Sequence, residues 1–457
     1  MRKARKIQPN LPETWLDLDH AKELQGISRL LDEHPRIDEL VLQDLREATG
    51  SPAAETGAGG LSAEQVLRAL LIKQMNGFSY RALAFHLEDS RTYRTFCRLG
   101  ILEATPSKSA LAFNVKALRP ETLEAIHRIL IGAAKRHKIE QGRKVRSDST
   151  VVEAPIHHPT DSALLWDCVR KLTALMTQAR KLLGAEHIDF ANRTRRAKRR
   201  RREIVNAKRK QQRKKPYRDL LRVSEEVRTM GLRICRKLST PPSELGPLET
   251  LVAQDLAAQL DHFLALTDRV IDQTRRRVLE GQSVPAEEKV VSIFEPHADI
   301  IRKDHRETFY GHKICLSVGS SSMILDCVVL RGNPPDASLA PTMVERQVDL
   351  YGRPPRQVAF DGGFASKSNL VAIRQAKVRD VAFSKHRGIT ISEMARSTWV
   401  YKQLRRFRAG VEGVISFLKR AFGLGRCTWR SWPSFQSYVW SSILACNLLI
   451  MARHLMS

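Results

Sequence analysis

From Val290 onward the apolar residues switch repeatedly between alternation and helical spacing, and this succession limits the fold more than any other feature of the chain. KICLSVGSS and MILDCVVLRG, rich in β-branched and apolar residues, predict a β-hairpin joined around residues 320–322. SLAPTMVERQVDLYG then reads as a helix, RQVAFDGGF as a strand ending at Asp361, SKSNLVAIRQAK as a helix and VRDVAFSK as a strand. A long helical region closes the chain. An earlier short strand, KVRSDSTVVE from about residue 143, is expected to end at Asp148. Strand, hairpin, helix, strand, helix, strand, helix describes a mixed α/β sheet with helices on its faces.

Upstream lies an all-α region, residues 1–140. Residues 1–50 carry short amphipathic patterns such as AKELQGISRLLDEH, and GSPAAETGAGG (50–60) reads as a linker. Ser62 with Gln65 three residues on predicts a capping box, followed by Leu67, Leu70, Leu71 and Met75 at helical spacing. Asn76-Gly77 makes a turn, and Ser79 opens a second helix bearing Leu83 and Leu87. That outline is helix–turn–helix-like (about 61–137), and any small helical bundle shares it. A further helix is expected from roughly 109 to 137.

The mixed α/β region, 141–457, is interrupted at about 160–289 by a polar, helical insertion. Its apolar-striped segments 164–183 and 248–278 are expected to pack as an antiparallel hairpin, with a basic stretch near the tip. In that stretch, 14 of the 23 residues from Arg193 to Lys215 are Lys or Arg. Arg193, Arg199, Arg200, Lys208 and Lys214 are its candidate phosphate contacts, binding without sequence specificity. A solvated basic loop is the plain alternative.

The whole chain is basic, with 77 Lys and Arg against 49 Asp and Glu and a net charge of +28. This balance suits a polyanion partner and not an acidic small molecule. More than half of the excess remains without residues 193–215. The N-terminal MRKARKIQPNLPETW has no apolar core of a signal peptide. YVWSSILACNLLIMARHLM (438–456) carries Ser, Asn, Arg and His, so a buried core helix is expected there and not a membrane span. The seven cysteines are scattered and never form C-x-x-C, which argues against a zinc finger or disulfide framework and for a reduced, cytoplasmic setting.

Two aspartates, Asp148 in RSDST and Asp361 in AFDGG, sit on predicted strands, and Gly362-Gly363 allows a bulky ligand close to the second. Carboxylates grouped in this way suit hard cations such as Mg²⁺, although a turn aspartate looks the same in sequence. LRRFRAGVEGVISFLKRAFGLGR is an amphipathic helix on which Arg408, Glu412 and Lys419 share one face. At about 100° per residue, Glu412 lies about 40° and Lys419 about 20° from Arg408. The geometry alone also allows a surface ion-pair row.

The spacing R-x3-E-x6-K resembles the C-terminal signature of bacterial insertion-sequence DDE transposases. So do RSDSTVVE, FYGHK (309–313), AFDGGF and, near the N-terminus, LSAEQVLRALLIKQMNGFSYRAL. The resemblance spans most of the chain from about residue 60, apart from the basic insertion. The family pattern starts with a Tyr three residues before the Arg, where this chain has Arg405. The resemblance implies an RNase H-like fold, with Asp148, Asp361 and Glu412 as catalytic residues holding two Mg²⁺ or Mn²⁺ ions. It also implies cleavage at the element's ends and attack of the freed 3′-OH on target DNA. Arg408 and Lys419 would grip the DNA backbone. The partner would be double-stranded DNA, both terminal inverted repeats and target, engaged by a homodimer in a nucleoid-associated cytoplasmic setting. A metal-dependent nuclease or resolvase of the same fold, or a non-catalytic DNA-binding descendant, are the other readings.

Several further residues invite a role. Glu153 is a reserve ligand, and Lys313 beside His312 is a candidate DNA contact in the hairpin, with a structural role equally open. His157-His158 lacks the partners of a metal site and suits a hydrogen-bonded turn. Trp429 and Trp432 suit a buried corner better than base stacking.

Overall fold

The computed structural model describes residues 3–5, 15–49, 60–100, 103–240, 245–303 and 307–456. The expected linker at 50–60 lies outside the described residues, save its last glycine. By its contacts the chain forms two units, residues 1–155 with 301–457, and residues 156–300.

The first unit opens with helices α1 (Asp19–Asp32) and α2 (Arg36–Thr49), which bury Leu24, Ile27, Leu30, Ile37, Val41 and Leu45. Helix α3 (Ala63–Asn76) starts at the expected capping box: Gln65 N donates to Ser62 Oγ (3.2 Å) and Ser62 N to Gln65 Oε1 (3.0 Å). It stops at Gly77, whose φ of 64° is open to glycine without a Cβ penalty. Ser79 then caps α4 (Tyr80–Asp89), which buries Leu83 and Leu87, and α5 (Arg91–Phe96) follows.

The single helix expected over 109–137 is two, α6 (Lys108–Lys116) and α7 (Pro120–Arg136). Pro120 disfavours helical backbone at the residue before it, and Arg119 is extended (φ −79°, ψ 152°). Asp44 holds the break by accepting from Arg119 N (2.8 Å), Arg119 Nε (2.6 Å) and Thr122 Oγ1 (2.9 Å).

Arg68 on α3 is 1% exposed. Its guanidinium meets Asp32 (2.8 Å) and Glu64 (3.1 Å), and donates to Ser28 Oγ (2.9 Å) and Phe96 O (3.1 Å). It thereby ties α3 to α1 and α5. Truncation would empty a fully buried site and take from Asp32 and Glu64 one of their two guanidinium partners, leaving Arg98. Arg68→Ala is therefore expected to destabilise this unit by about 3–5 kcal/mol, read as a lowered denaturation midpoint.

Strand β1 (Lys144–Glu153) follows α7, and the second unit comes after it in the chain. That unit contains α8 (Asp161–Leu183), α9 (Thr194–Asn206), α10 (Lys210–Ser239) and α11 (Pro247–Thr274), the last running into a π-helical turn at Arg275–Leu279. The two striped segments, now α8 and α11, pack together as expected, but the two-helix hairpin with a basic tip is corrected to a larger bundle. The basic stretch is itself helical, forming α9 and the first turns of α10, and α10 packs against both α8 and α11. The sequence reading overlooked a third apolar stripe on α10, comprising Tyr217, Leu220, Val227, Ile234 and Leu238.

The chain returns with β2 (Asp299–Lys303), β3 (Glu307–Val318) and β4 (Ile324–Val329). Helix α12 (Ala340–Tyr351), β5 (Gln357–Phe360), α13 (Lys367–Gln375), β6 (Asp380–Phe383), a short α14 (Ile391–Met394), α15 (Thr398–Ala421) and α16 (Trp432–Met456) complete it. The sheet order is β2-β3-β1-β5-β6, with β4 also paired to β3. β1–β3 and β3–β4 are antiparallel, while β1–β5 and β5–β6 are parallel. This is the mixed RNase H-like α/β sheet with an all-α N-terminal region.

Among the described residues, one helix, Trp432–Met456, is long and apolar enough to cross a membrane. It is instead buried against α1, α3 and α7, and its polar residues bond inside the protein. Asn447 Nδ2 donates to Ile324 O (2.7 Å) and its Oδ1 accepts from Ile324 N (2.9 Å), while Ser442 Oγ accepts from Gln74 Nε2 (2.7 Å).

Candidate active site

The parallel register of β1 and β5 pairs Arg146 with Ala359 and Ser147 with Phe360. The next residues on the two strands are Asp148 and Asp361, which therefore stand side by side at the end of the β1–β5 pairing. The expectation that β1 ends at Asp148 is corrected. The strand runs on to Glu153 because β3 stays paired with it as far as Gly311. Only the β5 pairing stops, at Ser147 just before Asp148, and that edge stays open until Glu153 bridges Arg426.

Helix α15 brings the third carboxylate across these strands. Arg146 on β1 donates from Nη1 to Phe407 O (2.8 Å), and its guanidinium lies 4.6 Å from the Phe407 ring centroid. Gly410 makes room for it, since a Cβ there would fall on the Arg146 guanidinium. One turn and a half earlier on the helix, Tyr401 Oη donates to Phe383 O (2.8 Å) at the end of β6. The family tyrosine position is occupied by Arg405, and Tyr401 sits one helical turn before it on the same helix.

Arg408 is the hub. Its Nη2 lies 2.9 Å from Asp148 Oδ2 and 3.3 Å from Asp361 Oδ1, and its Nη1 lies 3.0 Å from Glu412 Oε1. One guanidinium thus bridges carboxylates from β1, from the turn after β5 and from α15. Its own Nε is buried without an acceptor among the described residues. The Asp148 side chain is 14% exposed, Asp361 42% and Glu412 67%, so the cluster opens to solvent on the Asp361–Glu412 side.

A fourth carboxylate, Asp336, lies just behind. Its Oδ1 accepts from Ser149 Oγ (2.9 Å), next to Asp148, and from Lys313 Nζ (3.0 Å). A Cβ on Gly363 would stand 3.0 Å from its Oδ2. Asp336 therefore joins β1, β3 and the turn that follows Asp361. Burial pushes the nearby Cys315 thiol up, and the charges of Asp336 and Asp148 push it further. Asp336 was not singled out in the sequence: it sits in GNPPDAS, where a turn aspartate is unremarkable.

The structure places the other predicted residues as follows. Lys313 is buried and turned inward, donating also to Pro334 O (2.6 Å). His312 is fully buried between Trp432 and Phe435. Trp429 is buried and Trp432 stacks on Phe435. Glu153 is five residues along β1 from Asp148, about 16 Å at strand rise and on the opposite face, so it does not join the cluster. Lys419 lies on the Arg408 face, seven residues beyond Glu412.

In the second unit, Arg193 pairs with Glu226, and Arg200 pairs with Asp219 and Glu203. Arg196 also holds Asp219, whose carboxyl is driven well below its ordinary value first by Arg196 and then by Arg200. Arg195, Lys198, Arg199 and Arg202 form the exposed stripe of α9, while Lys208 and Lys214 are exposed at and after its end. His157 Nε2 lies 3.4 Å from Asp167.

Residues 269–448 match the family model described as Transposase DDE domain, and residues 15–117 match that described as Transposase domain (DUF772). The chain belongs to the DDE transposases of insertion sequences. The stretch of the transposase matched by the DDE model holds Asp361, Arg408, Glu412 and Lys419, and Asp148 lies before it. No curated protein and no solved structure matches the transposase.

Transposases of this kind are generally dependent on divalent metals. As the side chains stand, no group of three or more His, Cys, Asp or Glu among the described residues is arranged to hold a metal ion. In the Asp148–Asp361–Glu412 cluster the bridging charge is the Arg408 guanidinium. The donor set nonetheless fits the ion: three carboxylates, oxygen only, already gathered around one positive charge and open to water on one side.

Proposed function

We propose that this transposase cuts DNA at the ends of its element and joins the freed 3′-OH to target DNA, with Asp148, Asp361 and Glu412 as its catalytic carboxylates. The observation that carries this reading is the single Arg408 guanidinium within 3.3 Å of all three. A surface ion-pair row would involve Arg408 and Glu412 alone; it would not draw in the two strand aspartates. Asp148, Asp361 and Glu412 would hold two Mg²⁺ or Mn²⁺ ions, which supply phosphate polarisation, an activated nucleophile and stabilisation of the leaving oxygen. Arg408, released from the carboxylates, and Lys419 on the same helical face would hold the strand's phosphates. Asp336 and Lys313 would keep β1, β3 and the Asp361 turn in register, so Lys313 acts on the site's shape more than on DNA.

The second unit would bind DNA through its basic face. Arg199, Lys208 and Lys214 are the exposed contacts, whereas Arg193 and Arg200 serve first to hold α9 and α10 together. The N-terminal helices α3 and α4 would contribute DNA binding, and processing two element ends together calls for a homodimer on DNA in the nucleoid. The test uses duplex oligonucleotides carrying the element's inverted repeats, with Mg²⁺. Cleavage to a 3′-OH end, and joining of pre-cleaved ends to a plasmid, are expected. Cutting without joining would point to a nuclease or resolvase, and binding without either would point to a non-catalytic DNA-binding protein.

A further inference from the structure

The turn after β6 carries a charge that the reading above does not use. β5 and β6 are parallel with Phe360 opposite Phe383, so Ser384 stands beside Asp361 and Lys385 beside Gly362. Ser384 N donates to Phe360 O (3.1 Å) and sews the two turns together. The Lys385 stem then lies across Gly362: a Cβ on that glycine would sit 2.5 Å from Lys385 Cγ and 2.8 Å from its Cβ and Cδ. Gly362 has no unusual φ, so close approach is the reason for glycine here.

The loop under Lys385 is pinned. His386 is 3.2 Å from Tyr401 Oη and 3.2 Å from Ile389 O, and Tyr401 also bonds β6. Arg387 (φ 45°) and Gly388 (φ 79°) turn the chain sharply back. Lys385 and Arg387 are exposed, and neither forms an ion pair among the described residues. Arg408 pairs with all three carboxylates, whereas Lys385 pairs with none of them among the described residues.

We infer that Lys385 is a phosphate-binding residue of the active site, holding the DNA backbone next to the scissile phosphate, with Arg387 extending the same ledge. The inference rests on the catalytic reading of Asp361. An ammonium on a stem already laid beside Asp361 offers a point charge to a non-bridging phosphate oxygen at little ordering cost. A contact to the backbone carries no sequence information, so it positions the strand and does not select it.

The experiment measures binding of the full-length protein to an element-end duplex over a range of salt, for wild type, Lys385→Ala and Lys385→Arg. Loss of one phosphate contact is expected to lower the slope of log K against log salt by about one, with Lys385→Arg retaining it. Duplexes bearing a neutral methylphosphonate at single positions then locate the contact. One position flanking the cleavage site is expected to weaken wild type and leave Lys385→Ala unaffected. A wild-type slope in Lys385→Ala, or no position that couples to it, would overturn the inference. Asp361→Asn run in parallel separates the two claims: if it still cleaves, the catalytic reading fails, whatever Lys385 does. If it does not cleave and Lys385→Ala binds as wild type, the Lys385 contact alone fails.

Discussion

Replacing Asp361 by Asn is expected to abolish cleavage and joining while the protein folds and binds DNA. Asp361 is the more exposed of the two aspartates at 42%, and its only ion pair among the described residues is the 3.3 Å contact to Arg408. Arg408 keeps Asp148 and Glu412 in the variant, so the fold loses no more than a surface-type ion pair, about 0–1 kcal/mol. Catalysis loses far more, because a neutral amide cannot neutralise a bound divalent ion as a carboxylate does. Metal assistance is worth several kcal/mol at the transition state, and about 4 kcal/mol corresponds to a rate lower by about a thousandfold. DNA affinity should hold or rise slightly, since one negative charge near the backbone disappears. Single-turnover cleavage and a binding isotherm on the same preparation check this. Cleavage within about tenfold of wild type would remove Asp361 from the mechanism and return it to the role of a turn residue.

Much of the candidate site's geometry could be read from the sequence because local rules generate it. The apolar run before Asp361 located β5, which ends at Phe360, one residue short of the expected end, and a period of 3.6 put Arg408 and Glu412 on one face of α15. Ser62, Gln65 and Gly77 marked the ends of α3 through caps that are legible in any sequence. What escaped depends on contacts between distant residues. From the sequence, Asp148 joins Asp361 only through the family resemblance, because it lies 213 residues earlier in the chain and the β1–β5 register sets them together. Asp336 gains its meaning from Ser149 and Lys313, and Lys385 from Gly362, none of them close in sequence. In the insertion, the density of Arg and Lys masked the apolar stripe of α10, so a third long helix was overlooked. For Lys313 the sequence leaves a phosphate contact and a structural role equally open, and its partner Asp336 turns it inward.

Arg408→Ala should make the protein more dependent on divalent metal for stability. Without metal, the substitution removes the guanidinium that pairs with Asp148, whose side chain is 14% exposed, and with Asp361 and Glu412 beside it. Removing one partner of such a partly buried cluster costs about 1–3 kcal/mol, so the metal-free denaturation midpoint should fall. Adding Mg²⁺ should then raise the midpoint more in the variant than in wild type. In wild type a metal ion has to displace the guanidinium from the same oxygens, and part of its binding energy is spent on that exchange. If release of Arg408 costs about 1.4 kcal/mol, the variant binds metal about tenfold more tightly. At a free concentration of about 100 times its Kd, the ion adds about 2.7 kcal/mol of stability. Cleavage should nevertheless fall, because the guanidinium that metal would release in wild type is no longer there to meet the DNA phosphates. Tighter metal with slower cutting is the combination that a purely structural arginine would not produce. Equal metal affinity in the two proteins, with equal midpoints when metal is absent, would mean that Arg408 neither holds the carboxylates nor competes for them.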